Sequence, residues 1–185
     1  MPRSGKEARG RLQQATLELF QQQGYDATTT AEIAARAGVT ERTFFRHFAD
    51  KREALFDGEE AFRDILREAV AAAPQDMSPL EALFHAFRSV EPLLQRNRPF
   101  TEPRQKVIAD TPALQERVLT KIANLTVGLS NALLKRGVEE GTAAFAAQIG
   151  MATFAHATRA WLADPTTDLS AHLAKSHAEL RRLST

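Results

Sequence analysis

No cysteine occurs in the 185 residues, which excludes a disulfide framework and any thiolate metal site. Tryptophan and tyrosine occur once each, against eleven phenylalanines, so the aromatic content is almost wholly apolar. No apolar run approaches the ~20 residues that a membrane-spanning helix needs. The opening Met-Pro-Arg-Ser-Gly-Lys lacks the apolar stretch of a signal peptide, and a soluble, cytoplasmic protein is expected. No run alternates with period two, so no strand is expected. No Gly-X-Ser-X-Gly elbow, phosphate-binding glycine loop or dinucleotide fingerprint occurs. His172 and His177 stand five apart, off the three- or four-residue spacing that puts two imidazoles on one helix face. No acid–base pair or nucleophile stands out. Catalysis, a metal and a cofactor are therefore not expected.

What is present is apolar periodicity of the helical kind. Apolar residues make up 43% of the chain, enough for a packed core in one large domain or two small ones. The net charge of +1 hides an asymmetry: residues 1–52 carry nine Lys/Arg against six Asp/Glu, and the remainder 15 against 17. A basic head on a mildly acidic body suits a polyanionic partner at the head.

Residues 28–48 organise the head. Thr29 can cap a helix, and Glu32 completes a capping box. Ile33, Ala34 and Ala37 share a face. Gly38 ends the helix because it tolerates positive φ, and Val39 plugs the gap that follows. Thr40 caps a second helix over 41–47. Phe44 and Phe48, four apart, turn into the core and leave Glu41, Arg42, Thr43 and Arg46 outward. Two short helices joined by a tight turn make a helix-turn-helix, whose second helix can lie in a DNA major groove.

The register of Thr29-Thr30, Glu32-Ile33-Ala34, Ala37-Gly38-Val39-Thr40, Thr43-Phe44-Phe45, His47-Phe48 and Lys51 resembles the DNA-binding domain of TetR-type transcriptional regulators over residues 8–55. Arg42 can pair with guanine O6 and N7. Thr43 can touch a thymine methyl or a phosphate. Glu41 can accept from a cytosine amine or serve the helix dipole. Arg46 and His47, one turn on, are expected at backbone phosphate. Thr29, Thr30 and Thr40, at helix starts, are further phosphate candidates. Lys51 matches a phosphate-binding lysine of the family. The chain departs from the family at two positions. Phe45 stands where Tyr is usual, so it offers only van der Waals contact, to a sugar or a thymine methyl. Arg42 stands where Gly is frequent.

The rest of the chain reads as further helices, about nine in all. A Ser4–Glu7 box starts the first near Gly5, and Leu12, Ala15, Leu19 and Phe20 form its stripe. Asp50 opens a long helix to about Ala73. Ser78 and Pro79 start one that Pro92 kinks, residues 97–103 break the pattern, and 104–109 form a short helix. Helices follow over 112–135, 142–163 and 168–182. The expected fold is all-α: a three-helix DNA-binding domain over 1–50, and a ligand-binding and dimerisation bundle over 51–185.

The resemblance implies a cavity in the body. Phe62, Leu66, Leu83, Phe84, Phe87, Val118, Ile122, Leu125, Phe154 and Trp161 could line it, or could simply be core. A buried Arg88 or Arg159 would want a carboxylate or an anionic ligand. Phenylalanine-rich walls suit a lipophilic effector. The last two helices, one rich in Ala and the other with Leu-spaced faces, are expected to pair with their mates in a homodimer. The dimer would present two recognition helices to a palindromic double-stranded operator, and effector binding would change their spacing and release a repressor. The alternative is an all-α carrier or enzyme with a vestigial head. Retention of Arg42, Thr43, Arg46 and His47 on the second short helix speaks against it.

Overall fold

A computed structural model describes residues 3–164 and 166–183, without the side chains of Arg3 and Ser4. The described residues form ten helices and no strand: α1 (Arg3–Gln23), α2 (Thr30–Arg36), α3 (Glu41–His47), α4 (Lys51–Leu55), α5 (Glu59–Ala72), α6 (Pro79–Ser89), α7 (Glu91–Ala109), α8 (Pro112–Lys135), α9 (Glu140–Ala163) and α10 (Leu169–Leu183). They fall into two compact units. One comprises Met1–Gly58 with Pro99–Arg117, and the other Glu59–Arg98 with Val118–Thr185. The first unit thus runs past residue 50 and takes in the end of α7 and the start of α8.

In the first unit, Leu12, Ala15, Leu19 and Phe20 of α1 are buried with Ile33, Phe44 and Phe48, as their spacing predicts. Tyr25 packs edge-on against Phe20 at 5.2 Å. α1 begins at Arg3, so the backbone of Ser4 is already helical. The Ser4 side chain, and with it the expected box to Glu7, lies outside the described residues.

The single long helix expected after Asp50 is two helices. Asp50 does cap α4, accepting from the Glu53 amide at 2.8 Å, but α4 stops at Leu55. Gly58, at φ 87°, takes a left-handed conformation that breaks the hydrogen-bond ladder, and α5 starts after it. Arg9 clamps the break with Nε on Asp57 Oδ2 at 2.6 Å and Nη2 on Oδ1.

A second difference lies in α7. Residues 97–103 are helical, and α7 continues through Pro99 and Pro103. Pro92 is its second residue, where a missing N–H is harmless, so it starts a helix and kinks none. Each interior proline removes one backbone bond. Burial of Thr101, Val107 and Ile108 outweighs that local penalty. α9 starts at Glu140, two residues before the expected 142, and takes in Gly141. Glu139 caps α9, accepting from the Gly141 and Thr142 amides.

The second unit has one continuous core, in which Leu66, Leu83, Phe84, Phe87, Leu125, Phe154 and Trp161 are buried together. α6 and α9 approach closely at Gly150, where a Cβ would lie 2.8 Å from Leu83 Cδ1. Arg136, just past α8, donates to the carbonyls of Val70, Ala73 and Pro74 at 2.6 to 3.0 Å, so it satisfies carbonyls at the end of α5 and just beyond it.

Candidate nucleic-acid interface

The interface is built by local hydrogen bonds. Thr29 Oγ1 accepts from the Glu32 amide at 3.2 Å, and Glu32 Oε2 accepts from the Thr29 amide at 2.8 Å, so both halves of the box are present. At the other end of α2, the Gly38 amide donates to Ala35 O at 3.1 Å and the Val39 amide to Ala34 O at 2.9 Å. This pair is a Schellman stop, and it requires the left-handed φ of 68° at Gly38. Thr40 then caps α3, accepting from the Thr43 amide at 3.2 Å. The turn is further braced by Thr30 Oγ1, which donates to Glu41 Oε1 at 2.5 Å.

With Phe44 at 0% and Phe48 at 4% exposure, the opposite side of α3 faces water. Glu41, Arg42, Phe45 and Arg46 are exposed there, and Thr43 is half-buried beside them. One turn apart, Arg42 and Arg46 share that outer face. Neither has a hydrogen-bond or ion-pair partner among the described residues. Other cations of the head are engaged: Arg9 by Asp57, Arg11 by Ala37 O, Arg36 by Glu18 and Arg52 by Asp50. Two unengaged guanidinium groups on an exposed helix face can donate to phosphates and to base edges.

Of the residues expected at DNA, Lys51 and His47 are turned inward and Glu41 is tied at the surface to Thr30. Lys51 Nζ donates to Tyr25 O at 2.6 Å, Thr28 O at 2.8 Å and Asp26 O at 3.5 Å, and lies 4.3 Å from the centre of the Tyr25 ring. Its three N–H groups hold the turn before α2, so none is left for a phosphate. His47 Nε2 is buried without a hydrogen-bond partner. Burial first, then the charges of Arg46 and Arg9, pushes its pKa below 6.5, and a neutral ring facing inward makes no phosphate contact through that nitrogen. Glu41 serves the strut to Thr30 with one of its oxygens.

The residues expected around a ligand divide differently. Leu66, Leu83, Phe84, Phe87, Leu125, Phe154 and Trp161 pack against one another, with Phe87 and Phe154 stacked at 4.5 Å. Phe62 and Ile122 are half-buried against them, and Val118 is half-buried. Arg88 and Arg159 are exposed, so neither is a buried cation in want of a carboxylate or an anionic ligand. A half-buried arginine whose Nε is buried sits elsewhere. In the first unit, Arg104 donates to Leu55 O at 3.5 Å and faces the rings of Phe56 and Phe100. Burial lowers its pKa to about 10. In the sequence it opens the short helix expected over 104–109, directly after the break at 97–103, and no periodic signal marks it as inward-facing. The second unit also carries a polar cleft of 480 Å³ between α5 and α8 and an apolar groove of 220 Å³ between the start of α6 and α9. Neither is lined by any residue expected at a ligand.

Comparison with known proteins bears on both units. The family model described as "Bacterial regulatory proteins, tetR family" matches residues 12–57, and the one described as "MftR C-terminal domain" matches residues 77–184. The chain is 40% identical over 85 residues to the HTH-type transcriptional regulator TcmR of Streptomyces glaucescens, covering 46% of this chain and 38% of that one. It therefore spans well under half of that relative's length. It is 27% identical over 146 residues to the HTH-type transcriptional repressor KstR2 of Mycobacterium tuberculosis, covering 72% of this chain and 68% of that one. Among solved structures, the SmeT–triclosan complex aligns over 93% of this chain and 90% of its own, with TM-score 0.64 and 20% identity. Thermus thermophilus FadR, in complex with lauroyl-CoA, aligns over 92% and 91%, with TM-score 0.56 and 24% identity. At these identities the two structures share the fold.

Proposed function

Because this chain belongs to the tetR family of bacterial regulatory proteins, we propose that it is a cytoplasmic transcriptional repressor, not an enzyme, and that it binds a palindromic operator as a homodimer. One observation carries the DNA reading: Arg42 and Arg46 stand exposed and unengaged on the outer face of a helix whose other side is locked into a core. Arg42 reads guanine, Arg46 and Thr43 meet the backbone or a base edge, and the hydroxyls of Thr29 and Thr40 flank the phosphates. Pairing through α9 and α10 is supported by their exposed faces. Ala152, Ala171, Ala174 and Ala178 allow close helix approach, and Phe145 is 64% exposed. A lipophilic effector bound in the phenylalanine-rich body is supported by relatives solved with triclosan and lauroyl-CoA. Its binding lowers operator affinity, and operator lowers effector affinity by the same factor.

Selection from random duplexes by the full-length protein should return a palindrome. Arg42→Ala should then lose about 1–3 kcal/mol and relax one base position per half-site. Recovery of no enriched motif would refute the DNA reading.

A further inference from the structure

Phe45 is the exposed large apolar side chain of the first unit, at 54% exposure; the others among the described residues belong to the second unit. It stands on α3 beside the two unengaged arginines. Its ring is set edge-on against buried Phe44, with centroids 5.4 Å apart and an interplanar angle of 87°. Phe44 is itself fixed by Phe48 at 5.8 Å. The phenyl group is therefore held in place before any partner arrives, at the cost of keeping apolar surface in water. At 100° per residue, Arg42 and Arg46 point straight out from the core and Phe45 lies to one side of them. A helix seated in the major groove by those arginines puts Phe45 against the groove's edge.

The surface that best fits a bare phenyl ring is itself apolar. In the major groove, the apolar group a base pair presents is the thymine C5-methyl. Cytosine offers only a C5–H at the same place, with no methyl to cover, and the remaining base-edge groups are hydrogen-bond donors or acceptors, which a phenyl ring would strip of water without replacing the bond. We infer that Phe45 is a specificity-determining residue that selects thymine at one position of each half-site through its methyl group. This rests on the operator-binding reading, and it adds a base preference that the arginines cannot supply. Packing on deoxyribose, the competing use of the ring, would give affinity without base choice.

The test separates the two uses and leaves the DNA reading independent. The full-length protein is titrated against its selected operator and against duplexes in which one thymine per half-site is replaced by uracil. That change removes the methyl and keeps both hydrogen-bonding edges. At one symmetry-related position, uracil should weaken binding about fourfold for one half-site and about fifteenfold for both. Phe45→Ala should bind the thymine and uracil duplexes equally, and both still more tightly than a scrambled duplex. Wild-type protein that tolerates uracil at every position overturns the inference while operator binding stands. So does a Phe45→Ala protein that retains the uracil penalty. Equal wild-type affinity for operator and scrambled duplex would overturn the DNA reading itself, and the inference with it.

Discussion

At the scale of single residues, the head's cations divide by what they touch. Lys51 and Arg46 are both cations of the head, yet one is spent inside the protein and the other is free. Lys51 closes the turn that delivers the chain to Thr29, so its loss acts on folding before it acts on binding. Lys51→Met should lower stability by about 1.5–3 kcal/mol, the usual worth of hydrogen bonds from a charged donor. Urea denaturation would show it. The salt dependence of operator binding should stay as in the wild type, because no phosphate contact is removed. A slope reduced by about one unit with unchanged stability would return Lys51 to the phosphates.

At the scale of elements, what decides an outcome is whether its cause is local. The caps at Thr29, Thr40, Asp50 and Ser78 were legible in the sequence because each is a bond across three residues, and each is present. The split between α4 and α5 was missed although Asp57-Gly58 is a turn signal. Leu55, Phe56, Phe62 and Leu66 keep a helical period straight across it, and periodicity outweighed the glycine. The course of α7 was missed for the opposite reason. Pro99 and Pro103 are strong local breakers, and only tertiary burial keeps the helix going. For the site, the sequence identified α3 and its outward arginines. It could not show that Lys51 and His47 turn inward, since both depend on residues more than twenty positions away or on the depth of packing. Gly150 carries no such sequence signal either, for its role is the crossing of α6 and α9. Gly150→Ala would force Leu83 to turn within a full core, costing about 1–3 kcal/mol. A thermal melt would report the loss, and an unchanged midpoint would mean that the crossing relaxes freely.

At the scale of the whole molecule, acid is the expected weakness. Glu32, Glu81 and Glu139 accept from the amides or hydroxyls that they and their partners cap, and each titrates below 4.5. The unfolded chain therefore takes up protons first as pH falls. The stability these caps supply is complete above about 4.5 and is lost through their lower folded values. His47 acts in the same direction at higher pH. Its folded value lies below 6.5 because burial disfavours the imidazolium, so its neutral burial is without penalty above 6.5 and increasingly unfavourable beneath it. Melting midpoints of the wild type should fall between about pH 7 and pH 5, and His47→Asn should flatten that part of the curve. Parallel curves for the two proteins would remove His47 from the account.

The membership of Pro99–Arg117 in the head's unit has a topological consequence. The backbone passes between the two units three times, after Gly58, after Arg98 and after Arg117. Severing it at Gly58 would therefore not free a head. Fragment 1–58 would still need the guanidinium of Arg117, which holds Glu53 through Nε at 2.7 Å and Nη2 at 3.2 Å. It would also need Arg104 against Phe56, and both arginines reside on the other fragment. Fragments 1–58 and 59–185, produced together, should reassemble into one particle, while 1–58 alone should remain largely unfolded. By the same reasoning, a chimera that transplants only residues 1–50 onto a foreign body would leave Leu55, Phe56 and the arginines that cover them behind.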